Sequence, residues 1–112
     1  MKKWIGVGIA IFLAFSSVVA FAKSPIHPVE PTNKIANKEA QKDFNEGVKA
    51  FRNEKYSDAT THFEAALKAD PNLPEAQINL GLALAEEGKT QEAKKAFDEA
   101  VNLISKGKTP TG

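Results

Sequence analysis

The chain has 112 residues, 42% of them hydrophobic, with six prolines, which is room for one domain and a small core. Fifteen Lys and Arg stand against fourteen Asp and Glu, so no basic field exists to draw in nucleic acid, which is not expected as a partner. There is no cysteine, which removes disulfide frameworks, thiolate zinc sites, haem attachment, lipoprotein acylation and thiol nucleophiles together.

Lys2 and Lys3 precede an apolar run over residues 4–19, broken only by Ser16 and Ser17 and closed by Ala20-Phe21-Ala22. A basic end, an apolar middle and small residues at the −3 and −1 subsites make residues 1–22 a secretory signal peptide, leaving Lys23 as the mature N-terminus. The alternative is an uncleaved anchor, since residues 4–22 supply about 19 residues where a bilayer needs roughly 20. Gly6, Gly8 and the two serines weaken that alternative. In both cases the basic end stays in the cytoplasm and the remainder is expected outside it, periplasmic or secreted, with membrane attachment only if the signal is retained.

Residues 23–33 place Pro25, Pro28 and Pro31 at intervals of three. That spacing favours an extended polyproline II linker without a core of its own over a recognition peptide for a proline-binding domain.

From residue 34 the pattern turns helical, and a shift of 34 residues superposes six pairs: Asn45 on Asn79, Gly47 on Gly81, Lys55 on Lys89, Ala59 on Ala93, Phe63 on Phe97 and Ala66 on Ala100. Gly47 and Gly81 sit inside a first helix, where glycine costs about 1 kcal/mol relative to alanine and needs a compensating close contact. Ala59 and Ala93, early in a second helix, are the expected small neighbours, with Phe63 and Phe97 one turn on to fill the space beside them. Turns are expected near Asn53-Glu54-Lys55 and Glu87-Gly88-Lys89, and Pro71 and Pro74 separate the two units.

With these residues in place the chain resembles the tetratricopeptide repeat family. In that family's register the first repeat, residues 40–73, offers Gly47, Tyr56, Ala59, Phe63, Ala66, Leu67 and Pro71. The second, residues 74–107, offers Leu80, Gly81, Gly88, Ala93, Phe97, Ala100 and Val101. The resemblance implies an all-α domain over residues 34–107, two antiparallel helix-turn-helix hairpins in a short right-handed solenoid, with residues 108–112 as a flexible tail. Asp43 and Glu46 depart from the family's apolar positions, Glu54 from its turn glycine and Ser105 from its final proline.

The resemblance further implies a non-enzymatic module whose first helices line a concave groove for a protein or peptide partner. By family position that groove presents Gln41, Phe44, Asn45, Val48 and Arg52 from the first repeat. From the second it presents Glu75, Ile78, Asn79, Leu82 and Glu86. Phe44, Val48, Ile78 and Leu82 are the apolar strip, unless Phe44 and Val48 pack instead on upstream residues such as Ile35 and Ala40. Asn45 and Asn79 are placed to hydrogen-bond a peptide backbone. A subfamily clamps a C-terminal carboxylate, but Phe44 and Val48 stand where that clamp needs Lys and Asn, so its activity does not carry over.

At least three repeats are usually wanted for stability, and Phe97, Val101 and Ile104 form an apolar side on the last helix. Association with a partner or with a second copy is therefore expected. No cofactor or metal site is expected: His27 and His62 lie in no metal-binding spacing. Lys94 and Lys95 stand four residues before Asp98 and Glu99, so those carboxylates are explained as helix-surface pairs.

Overall fold

A computed structural model describes residues 26–107. The expected signal at residues 1–22 and the tail at residues 108–112 lie outside the described residues, as does the start of the proline-rich segment. Helix α1 runs Lys38–Arg52, α2 Tyr56–Ala69, α3 Pro74–Glu86 and α4 Thr90–Gly107. There is no strand among the described residues.

The starts of α1 and α3 have local reasons. The Asn37 side chain caps α1 by accepting from the Ala40 N–H at 3.0 Å, and its Nδ2 donates to the Ala69 carbonyl at 3.2 Å. One residue thereby ties the start of α1 to the end of α2. Pro74, which lacks the N–H that a first helical turn leaves unpaired, opens α3.

Both hairpin turns use the same backbone device. Glu54, at φ +61°, and Gly88, at φ +83°, stand in the left-handed region 34 residues apart. In the first turn the Lys55 N–H donates to the Ala50 carbonyl and the Glu54 N–H to the Phe51 carbonyl. In the second, Lys89 donates to Leu84 and Gly88 to Ala85. This is a Schellman closure, and Glu54 adopts it despite a left-handed cost of about 1–2 kcal/mol that glycine avoids.

Contact is closest within the hairpins α1/α2 and α3/α4, then between α2 and α3, while α1 touches α3 only lightly. Phe44, Phe51 and Phe63 are fully buried, with the Phe44 and Phe63 rings edge to face at 5.7 Å. The second hairpin buries smaller groups, Leu80, Ala83, Leu84, Ala93, Ala96 and Ala100. Thr60 of α2 donates its hydroxyl to Glu87 Oε1 at 2.6 Å, a polar link between the hairpins.

The repeat glycines meet the phenylalanine rings directly. A Cβ on Gly47 would lie 2.6 Å from Phe63 Cε1, and one on Gly81 2.5 Å from Phe97 Cε1. Ala59 and Ala93 are buried as expected of small residues, but the three side-chain atoms nearest to a Cβ added at each glycine belong to the ring.

The two sites differ in how freely the ring can yield. Phe63 is sealed in the core, whereas Phe97 is only partly buried. A Gly→Ala change gains about 1 kcal/mol of helix propensity, and overpacking costs about 1–3 kcal/mol. We therefore expect Gly47→Ala to lower stability by about 1–2 kcal/mol and Gly81→Ala to be nearly neutral, measured as urea midpoints. Equal losses at both positions would show that the rings are equally confined.

Candidate partner-binding groove

Residues 26–33 have neither helix nor strand, in keeping with an extended segment, but the segment does not stand apart from the domain. It crosses the face formed by the first helices, α1 and α3. The Val29 N–H donates to Asn79 Oδ1 at 2.6 Å, and Asn79 Nδ2 donates back to the Val29 carbonyl at 2.8 Å. Asn79 is 0% exposed, so both ends of its amide are satisfied by the N–H and C=O of one residue, and no buried side-chain polar atom among the described residues is left without a partner.

Three further contacts fix the segment. Pro28, within the strap, is buried. Glu30 Oε1 pairs with Arg52 Nη2 at 2.7 Å at the end of α1, and this exposed pair contributes at most about 1 kcal/mol. Thr32 donates both its hydroxyl, at 2.9 Å, and its N–H, at 3.2 Å, to Glu75 Oε2 in the first turn of α3. Ile35 is buried beyond it, just before the Asn37 cap. The proline-rich linker expected at residues 23–33 is thus, over its described part, an ordered strap along the groove. Its backbone found partners on α3, about fifty residues away in sequence, which composition does not reveal.

The residues expected to line the groove divide into groups. Phe44 and Val48 are buried in the core with Ile35 and Ala40, so they present no apolar strip to a partner. Ile78 and Leu82 are partly exposed on α3, as are Gln41 on α1 and Glu86 at the end of α3. Asn79, Arg52 and Glu75 hold the strap. Asn45, the repeat equivalent of Asn79, is exposed and lines an open depression with Glu30, Val48, Lys49, Arg52 and Asn53.

Sequence reasoning missed Pro28, Val29, Glu30 and Thr32 as groove residues. Their only signal was the alternation of proline with apolar, acidic and hydroxyl residues, which an unattached linker carries equally well.

Glu75 gives the strap a pH dependence. Partial burial alone would raise its pKa, but hydrogen bonds from the Thr32 N–H, from its own backbone N–H and from the Thr32 hydroxyl outweigh that and lower it below the ordinary 4.5. A carboxylate with a depressed folded value stabilises fully above the unfolded value and loses that contribution as pH falls through the folded one. The Thr32 amide should therefore exchange faster, relative to the intrinsic rate, as pH drops below about 4.5. Glu75→Gln should remove the trend, and a trend that persists in that variant would place its origin elsewhere.

On the last helix, Phe97 packs partly against Gly81, while Val101 is 60% and Ile104 37% exposed. The expected association face thus reduces to Val101 and Ile104. His62 Nδ1 lies 3.5 Å from Asp43 Oδ1, and no group of three or more His, Cys, Asp or Glu among the described residues is placed to hold a metal ion. No helix among the described residues is long and apolar enough to cross a membrane. Lys94 pairs with Asp98 at 3.1 Å along the surface of α4, as the four-residue spacing implies.

A family model described as tetratricopeptide repeat matches residues 44–110. The chain belongs to the tetratricopeptide repeat family. No curated protein and no solved structure matches it. Tetratricopeptide repeats generally mediate protein–protein interaction and are non-catalytic modules, and the four helices without strands agree with paired hairpins of that family. The strap crosses the face formed by the first helix of each hairpin.

Proposed function

We propose that this protein is a non-enzymatic adaptor working outside the cytoplasm, in the periplasm or after secretion, and that it holds a protein or peptide partner in extended form along α1 and α3. The observation that carries this reading is the two-way hydrogen bond between the buried Asn79 amide and the N–H and C=O of Val29. A side chain buried with its whole amide directed at the N–H and C=O of one extended residue is a backbone-reading device, and it sits on the face that tetratricopeptide repeats use for partners. The location is supported by Lys2, Lys3, the apolar run and Ala20-Phe21-Ala22.

The test is site-specific photo-crosslinking in the native cell. A crosslinker in place of Asn45, exposed beside the strap, should capture one protein that the same group at the exposed Lys95 of α4 does not. Equal capture from both positions, or none from Asn45, would overturn the groove reading. N-terminal sequencing of the fractionated protein tests the location separately: Lys23 as first residue outside the cytoplasm is expected, and an intact start in the cytoplasmic fraction would refute it.

A second reading, a self-associating scaffold subunit, rests on Val101 and Ile104, large apolar side chains left exposed at the end of the solenoid. Mass that rises with concentration in light scattering, and returns to the monomer value in Val101→Asp, would favour the scaffold over the adaptor.

A further inference from the structure

The strap is a ligand already in place, so its contacts specify what else the same groove accepts. Over residues 28–32 the five positions are treated differently. Pro28 is buried, and Val29 is held through its backbone N–H and C=O while the residue remains 36% exposed. Glu30 meets Arg52, Pro31 is partly buried, and Thr32 gives hydroxyl and N–H to Glu75. The second position is therefore read by backbone alone, the third by positive charge, and the fifth by a carboxylate that requires a donor.

Resting on the groove reading above, we infer that the partner is a protein carrying an extended segment of the form proline, any residue, acidic residue, any residue, serine or threonine. That segment binds by displacing residues 28–32 of this chain. The charge logic supports the choice: a basic third position would face Arg52, and a fifth side chain without a donor would leave the Glu75 carboxylate with one contact fewer. The strap competes as a tethered ligand at an effective concentration in the millimolar range. Partner affinity is accordingly the intrinsic affinity multiplied by the fraction of time the groove is empty.

The experiment uses the full chain and a fluorescent, end-blocked synthetic peptide copying residues 26–33. Val29→Pro removes the N–H that Asn79 accepts while keeping an extended backbone. A second release variant, Glu30→Lys with Thr32→Val, removes the charge pair with Arg52 and the hydroxyl contact with Glu75. Both changes lie outside the helices, so circular dichroism should be unaltered. Each released variant should bind the peptide about five- to thirtyfold more tightly than the unaltered chain, from the loss of one or two hydrogen bonds in the competing strap. A peptide with lysine at the acidic position should bind several-fold more weakly, and Arg52→Glu placed in the Val29→Pro background should restore it.

A scrambled peptide that binds as well as the original would overturn the sequence preference while leaving a groove that accepts any extended backbone. Failure of both released variants to bind would overturn the inference outright. Position-specific crosslinking from Asn45 would in that event still decide the adaptor reading on its own.

Discussion

Phe63→Ala is expected to lower stability by about 4 kcal/mol, the middle of the range for removing a buried phenylalanine. Phe63 is fully buried, meets Phe44 edge to face and covers Gly47, so its loss leaves a cavity bounded by both helices of the first hairpin. A domain of this size has about 5–10 kcal/mol of total stability. The variant should therefore unfold at a much lower temperature in a circular dichroism melt. Phe97→Ala, at the equivalent but partly exposed position, should lose about half as much. A coupling follows from the same geometry: in the Phe63→Ala background, Gly47→Ala changes from destabilising to stabilising, because the added methyl enters space the ring has left. Simple additivity of the two changes would show that ring and glycine do not confine one another.

Asn79→Ala has the second largest expected effect and acts first on the strap. The change removes both hydrogen bonds to Val29, each contributing about 1 kcal/mol net, and leaves a small void beneath residue 29. The strap should open about thirtyfold more often, from the same 2 kcal/mol, and the Val29 amide should lose hydrogen-exchange protection by that factor. Global stability falls by no more than the strap contributes, so the hairpins remain folded. Asn45→Ala serves as the control: Asn45 occupies the same repeat position but is exposed, and its loss should leave strap and melt unchanged. Protection at Val29 that survives Asn79→Ala would mean that Pro28, Glu30 and Thr32 hold the strap without it.

The hairpins could be read from the chain because their determinants are local or periodic. Glycine inside a helix, alanine and phenylalanine in the next, and proline between units recur at 34 residues, and each copy reports on the other. Even the departure at Glu54 was visible as a missing glycine, and the turn forms there regardless because its two closing hydrogen bonds are backbone ones. Phe44 and Val48 were less legible. Their residue types suit a core and a groove equally, and burial of Ile35 and Ala40 beside them decided for the core.

The sequence by itself determined the helical repeat, the place of its turns and the tight glycine positions, since each depends on residues within one hairpin and on backbone preferences that neighbours do not override. Only the tertiary structure decided what the proline-rich segment does. An extended chain has no internal hydrogen bonds to announce its conformation, and its Val29 peptide found a partner in Asn79 only once α1 and α3 had been brought to one face.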